Sequence, residues 1–112
     1  MKYKTLTRNN DFQKAYRRGK SLVSPMLVTY CNKNFVKHTR IGITCSKKIG
    51  NAVARNRARR IIRAAMQKIL PNNVGGFDIV FVARKITTFQ KSTQIEIVMQ
   101  KHLIALGIIK ND

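Results

Sequence analysis

Residues 47–65, KKIGNAVARNRARRIIRAA, restrict how this chain can fold, because they carry seven cationic side chains in nineteen positions and no acidic one. At about 100° per residue, a helix over residues 53–70 places its apolar side chains in one stripe: Ala58, Ile61, Ile62, Ala65, Met66 and Ile69. An adjoining arc holds Arg55, Asn56, Arg59, Arg60 and Arg63, while Arg57 lies apart from both groups. The pattern predicts a packed amphipathic helix with a cationic flank, and not a flexible tail.

The whole chain has a large excess of positive charge. Its 112 residues include 23 Lys and Arg against 4 Asp and Glu, a formal net charge of +19. Fifteen Lys or Arg lie between Asp11 and Asp78 with no carboxylate among them. Surface ion pairs cannot neutralise such a segment, whereas a phosphate backbone relieves its self-repulsion. The composition therefore indicates a nucleic-acid-binding protein.

Other classes of protein are disfavoured by what the sequence lacks. No segment approaches the roughly 18 to 20 apolar residues of a membrane span, and residues 1–14 have no apolar core of a signal peptide. Cys31 and Cys45 lack metal-site spacing, which predicts two reduced strand thiols in a cytoplasmic protein. His38 and His102 suggest neither a catalytic pair nor a metal ligand. We expect no membrane, small-molecule substrate, metal or cofactor bound by the protein itself.

The order of elements predicts one α+β domain over residues 1–112, beginning with a basic arm over residues 1–9. A first helix, capped by Asn9 or Asn10 and ended by Gly19, precedes two strands at 26–32 and 40–46 that we expect to pair antiparallel. After the long helix, residues 77–83 are apolar enough for a strand buried on both faces. Thr93 with Glu96 opens a last helix that ends at Gly107. The order α-β-β-α-β-α predicts a mixed sheet with helices packed on it.

The chemistry favours binding over catalysis by the chain alone. Four scattered acids do not easily supply a two-metal nuclease site, and neither a Walker-type loop nor a nucleophile motif occurs. We therefore assign no catalytic residue.

Three aromatic residues suggest a second binding surface. Phe12 and Tyr16 are four apart, hence on one face of the first helix, and Tyr30 shares a strand face with Met26 and Val28. Flanked by Arg17, Arg18 and Lys20, the rings would form a groove for single-stranded nucleic acid. Core packing is an equally good interpretation of Tyr16 and Tyr30, and a better one of Phe12. Gly42 and Thr44 would either leave this sheet face open or pack beneath a helix.

The segment SKKIGNAVARNRARRIIR, residues 46–63, resembles the signature of the bacterial ribonuclease P protein family. The resemblance extends to NDFQKAYRRG at residues 10–19 and to FDIVFVARK at residues 77–85, in the family's order. Ala58 departs from a usually larger aliphatic residue, and Ala64 with Ala65 from a commonly polar or acidic position. None of these changes affects the arginines.

The resemblance implies a left-handed crossover into the long helix and a role as a subunit of an endoribonuclease. In that family a catalytic RNA with bound magnesium removes the 5′ leader of precursor tRNA, and the protein alone is expected to be inactive. The implied catalytic-RNA contacts are Lys47, Lys48, Asn51, Arg55, Asn56, Arg57, Arg59, Arg60 and Arg63. The implied leader contacts are Phe12, Tyr16, Arg17 and Tyr30.

Two other interpretations fit the composition. A structural ribosomal protein has the same size and charge and would bind ribosomal RNA without affecting precursor processing. A DNA architectural protein is disfavoured, because no recognition helix with base-reading Asn or Gln and no dimer zipper are present.

Overall fold

The computed structural model describes residues 3–71 and 75–110. Its helices are α1 (Asn9–Arg18), α2 (Ala52–Ile69) and α3 (Ser92–Ala105). Its strands are β1 (Lys4–Thr5), β2 (Lys20–Val23), β3 (Leu27–Lys33), β4 (Arg40–Thr44) and β5 (Phe77–Ala83), and short 3-10 turns cover Lys47–Ile49 and Lys85–Phe89. The predicted α+β class, with helices on a mixed sheet, is confirmed. The strands β1 and β2 were not predicted.

The five strands form one sheet in the order β1-β4-β5-β3-β2. β5 pairs antiparallel with β3 and parallel with β4. The predicted antiparallel pairing of the strands now identified as β3 and β4 is therefore wrong. β5 separates them, and its apolar residues suit a central strand that is buried on both faces. β4, α2 and β5 form a parallel crossover unit, whose hand stays a prediction of the resemblance.

The segment predicted as a basic arm joins the edge of the sheet. β1 runs parallel to β4, with Lys4 opposite Arg40. Leu6 is buried, and its N–H donates to the Ile41 carbonyl at 2.8 Å. From residue 4 onward this segment is thus fixed to the fold, while residues 1–2 lie outside the described residues.

The two faces of the sheet are covered differently. One face carries the main core, where Ile79 and Phe81 of β5 pack beneath α2 and α3. The predicted apolar stripe of α2 enters this core: Ala58, Ile62, Ala65 and Met66 are buried, with Ile61 and Ile69 packed beside them. The opposite face holds a smaller cluster around Val80, Leu6 and Ala15, beneath α1. Because α1 covers this second face incompletely, part of it is open for binding.

The first residues of the helices differ in part from those that the sequence predicted. Asn51 caps α2, since its Oδ1 accepts the Ala54 N–H at 3.0 Å. The predicted cap of α1 at Asn9 or Asn10 is wrong: Arg8 occupies the cap position and makes no side-chain cap hydrogen bond. At α3 the Lys91 N–H donates to Gln94 Oε1 at 3.0 Å and Lys91 is the cap residue, so the opening predicted at Thr93 with Glu96 is two residues too late.

The predicted helix ends are confirmed. Gly19 follows α1, and its N–H donates to the Ala15 carbonyl at 3.1 Å. Gly107 follows α3 with φ +78°, a left-handed conformation that favours glycine. The Ile108 N–H then reaches the Leu103 carbonyl at 2.9 Å, closing the helix end in a Schellman motif.

Candidate nucleic-acid interface

The cationic face of α2 begins at a rigid turn. Ile49 is buried and anchors the Lys47–Ile49 turn, which leaves Lys47 and Lys48 exposed. Gly50 follows with φ +140°, a conformation that side chains rarely adopt. The exposed Asn51 then caps α2, so its side-chain oxygen is already engaged in the fold. The turn therefore holds two lysines next to the first arginines of the helix.

Two of the helix arginines are braced by their neighbours. Arg55 Nη1 donates to the Gly50 carbonyl at 3.1 Å, and Arg59 Nη1 donates to Asn56 Oδ1 at 3.3 Å. Both guanidinium groups retain further N–H groups that can donate hydrogen bonds to a phosphate. This part of the predicted contact set is thus brought together and partly oriented before any RNA binds.

The predicted arc of arginines is divided between two flanks of α2. Arg59 and Arg63 line a pocket of about 130 Å³ that also includes Phe12 of α1. Arg57 and Arg60 line a different pocket, which opens toward residues 88–92. Arg57, which the sequence periodicity placed apart from the other arginines, therefore lines the same pocket as Arg60.

The three predicted groove aromatics lie on the same face of the sheet. A Cβ atom built on Gly42 would approach Cε1 of Phe12 to 2.5 Å, so the Phe12 ring rests directly on this glycine. One turn later, the Tyr16 hydroxyl hydrogen-bonds Thr44 Oγ1 at 3.0 Å. Gly42 and Thr44 thus pack beneath a helix, which settles the alternative that the sequence left open.

Tyr16 and Tyr30 form an aromatic pair at the edge of α1. Their ring centroids are 4.9 Å apart and their planes are inclined by 73°, an edge-to-face arrangement. Both residues are half-buried, which leaves part of each ring open to solvent. Phe12 is also half-buried, and its close contact with Gly42 gives it a packing role.

The groove continues beyond the residues that sequence reasoning identified. Val28 and Val82 are paired across β3 and β5, on the face that carries Tyr30. They lie in a pocket of about 420 Å³ whose polar lining is Ser46, Lys48, Arg84 and Lys85. Two features of the sequence could have predicted this part of the groove. Val28 lies two residues before Tyr30 in the same strand, and the basic pair Arg84 and Lys85 directly follows β5.

Two of the expected flanking cations are placed elsewhere. Lys20 pairs with Cys31, on the sheet face that α2 and α3 cover. Arg18 and Lys20 line a pocket with Cys31, Phe77 and Leu106. Their predicted position beside the groove is therefore wrong, whereas Arg17 is exposed in the last turn of α1.

The described residues include no group of three or more His, Cys, Asp and Glu arranged to hold a metal ion. Within the same ranges, no helix is both long and apolar enough to cross a membrane. Cys31 and Cys45 are free thiols, and burial raises the pKa of Cys31 to about 11, which keeps it protonated near neutral pH. His102 is buried, with its Nδ1 2.8 Å from Thr29 Oγ1.

Comparison with known proteins identifies the family. The sequence model described as Ribonuclease P matches residues 1–107. The chain belongs to the bacterial ribonuclease P protein family. A ribonuclease P protein component of Clostridium botulinum is 37% identical over 109 residues, which cover 96% of this chain and 98% of that protein.

Solved structures agree with this assignment. The Staphylococcus aureus ribonuclease P protein has a TM-score of 0.81 at 32% identity, covering 97% of this chain and all (100%) of that one. A mutant of the S. aureus protein, described as defective in mRNA degradation activity, has a TM-score of 0.80 at 32% identity over 94% of this chain and 89% of that one. As a ribonuclease P protein, the chain is an RNA-binding subunit of an endoribonuclease ribonucleoprotein that serves tRNA processing.

Proposed function

We propose that the chain binds the catalytic RNA of ribonuclease P through α2 and its entry turn, and holds the 5′ leader of precursor tRNA in the α1 groove. The observation that carries this proposal is the position of the Tyr16–Tyr30 pair, on the sheet face opposite the one that α2 covers. In this proposal two surfaces of the protein serve two RNA partners. The surfaces approach each other at the Lys47–Ile49 turn, since Lys48 lines the end of the groove, and at the pocket that Arg59 and Arg63 share with Phe12.

The groove suits a single strand whose bases are unpaired. Aromatic rings accept stacked bases of any identity, and a cationic rim follows the backbone phosphates. Here the rings are Tyr16 and Tyr30, while Lys48, Arg84 and Lys85 supply the rim. This arrangement supports binding of a leader without reading its sequence.

The chain's contribution to the reaction would be binding and positioning. Its cations lower the repulsion between two RNAs, so less free magnesium is needed to bring them together. A leader held in the groove fixes the precursor relative to the RNA active site, which raises the effective concentration of the scissile bond. In this proposal the RNA binds the catalytic magnesium and performs the hydrolysis, in the cytoplasm.

Substitutions at two positions test which RNA each surface binds. In a complex assembled with ribonuclease P RNA, Tyr30→Ala should weaken precursor tRNA binding by about 5- to 150-fold, the value of one base–aromatic stack. Binding of mature tRNA should not change, and Tyr30→Phe should retain most of the precursor affinity. Arg59→Ala should instead weaken assembly with the catalytic RNA. Equal losses for precursor and mature tRNA on changing Tyr30 to Ala would remove this residue from the leader site.

Two alternative functions predict different results in binding and cleavage assays. A structural ribosomal protein would bind ribosomal RNA and leave precursor cleavage unaffected. The description of the S. aureus mutant attributes an mRNA degradation activity to that similar protein. We expect the present chain, free of RNA and contaminating nuclease, to leave both precursor tRNA and mRNA uncut.

A further inference from the structure

An open pocket of about 630 Å³ lies between α2 and residues 88–92. Its cationic lining residues are Arg57, Arg60 and Lys91, and no carboxylate is among the described residues that line it. Phe89 lies at this pocket with 80% of its surface exposed. The pocket is separate from the α1 groove, whose open part is lined by Val28 and Val82 on the other sheet face.

The turn that carries Phe89 is held firmly in place. Thr87 is fully buried, and its Oγ1 accepts the Arg84 N–H at 2.9 Å while donating to the Met26 carbonyl at 2.6 Å. The Gln90 N–H closes the turn by donating to the Thr87 carbonyl at 3.2 Å. Phe89 is therefore presented to solvent from a fixed backbone, and not from a loose loop.

A rigid exposed ring beside guanidinium groups matches the requirements of a nucleotide site. A base stacked on a phenylalanine gains stacking energy without paying to order a flexible loop. Arginines can hold the adjoining phosphate through two parallel N–H donors. A second copy of this chain fits poorly, because its net charge of +19 would meet a cationic pocket.

We propose that this pocket binds an unpaired nucleotide of the catalytic RNA, with its base stacked on Phe89 and its phosphate held by Arg57 and Arg60. The identity of the RNA rests on the proposed function, since Arg57 and Arg60 belong to the helix assigned to that partner. The pocket lies on the α2 side of the sheet, away from the leader groove. The proposed contact with a phosphate also explains Arg57, which the register of α2 placed apart from the other arginines.

The test is the affinity of the full chain for a bacterial ribonuclease P RNA at fixed salt and magnesium. Phe89→Ala and Phe89→Leu should each weaken this affinity by about 5- to 150-fold, whereas Phe89→Trp should bind like the unmodified chain. The matched control is Phe35→Ala, which removes a fully exposed (100%) phenylalanine from the β3–β4 loop and should have no effect. Thermal unfolding of Phe89→Ala should match the unmodified chain, because the ring is mostly exposed.

Each result has one meaning. If the unmodified chain binds the RNA and Phe89→Ala or Phe89→Leu binds equally well, the inference is overturned and the proposed function stands. If saturated Phe89→Ala complexes lose precursor tRNA affinity without an assembly defect, the occupant is the leader and the assignment to the catalytic RNA is wrong. If the unmodified chain neither binds nor activates the RNA, the proposed function fails, and this inference fails with it.

Discussion

Asp11 and Asp78 both point toward Arg40, which removes two carboxylates from the outer surface of a strongly cationic protein. Arg40 Nε donates to Asp78 Oδ1 at 2.8 Å, and its Nη2 donates to Asp78 Oδ2 at 2.7 Å. Asn34 Nδ2 adds a third hydrogen bond to Asp78 Oδ1 at 2.8 Å, and Asp11 lies 3.5 Å from Arg40 Nη1. Hydrogen bonding to Asp78 raises the pKa of Arg40. The Arg40–Asp78 ion pair joins the start of β4 to the start of β5, where the two residues are partners in the parallel register.

Asp78→Asn should destabilise the fold by about 2 kcal/mol, because a charge-assisted bidentate contact is lost and Arg40 is left without its main partner. The side chains of Arg40 and Asp78 are 24% and 6% exposed, so water compensates for only part of this loss. Urea unfolding at neutral pH measures the effect. Glu96→Gln is the matched control: it changes the net charge equally and, within the described residues, breaks no ion pair. A loss shared by both variants would attribute the effect to charge alone.

His102 predicts a dependence of stability on pH. Burial lowers the pKa of this imidazole below its usual value, because its charged form is poorly solvated next to Thr29. The unfolded chain therefore takes up a proton at a higher pH than the folded chain does. Stability should fall as the pH drops through about 6.5 and level off below the folded-state pKa.

The measurement is thermal unfolding of the unmodified chain, His102→Gln and His38→Gln between pH 7.5 and 5. His102→Gln should show a flatter dependence than the unmodified chain, and His38→Gln controls for the loss of an imidazole. The same slope in the unmodified chain and in His102→Gln would contradict a role for His102.

At the scale of single residues, the sequence predicted the faces of side chains well and their contacts poorly. The spacing of Phe12 and Tyr16 correctly placed both rings on one side of α1. The ring position of Phe12 on Gly42 and the hydrogen bond from Tyr16 to Thr44 depend on the crossing of α1 over β4, which local spacing does not define. Lys20 was misplaced because β2 was not recognised, and alternation along β2 turns its side chain to the other face.

The packing of α1 on the sheet depends on one position without a side chain. Gly42→Ala would place a methyl group 2.5 Å from Phe12 Cε1, so α1 or the ring must shift. We expect a destabilisation of about 1–3 kcal/mol, the usual cost of overpacking a core. Because Tyr16 moves with α1, precursor tRNA affinity should fall as well.

A double-mutant cycle with Phe12→Leu tests this contact, since the smaller side chain makes room for the methyl group. The combined variant should be more stable than the sum of the two single losses predicts. Additive losses would show that Gly42 and Phe12 are not coupled.

At the scale of elements, the order of helices and major strands followed from periodicity and turn residues, whereas the pairing of strands did not. β3 and β4 are close in sequence, but β5 inserts between them after the intervening α2. The apolar run of β5 indicated a central strand without indicating its neighbours. β1 covers two residues, too few to show an alternating pattern, and the four residues of β2, Lys-Ser-Leu-Val, do not alternate between polar and apolar.

At the scale of the whole molecule, the charge is distributed over two faces of a single sheet. α2 carries the arginines on one side, and the aromatic groove with Lys48, Arg84 and Lys85 lies on the other. A net charge of +19 predicted a polyanionic partner but not the number of binding surfaces. The proposal of two surfaces rests on the topology, because the side of the sheet that each helix covers decides where the arginines and the aromatic rings lie.

The most direct test of the proposed function is cleavage of a precursor tRNA by a bacterial ribonuclease P RNA at low magnesium, with and without this protein. We predict that the protein restores cleavage at a magnesium concentration where the RNA alone is inactive, and that the protein alone cuts nothing. Absence of any restoration by the folded protein, over a range of protein and salt concentrations, would contradict the proposed function and favour a structural role on ribosomal RNA.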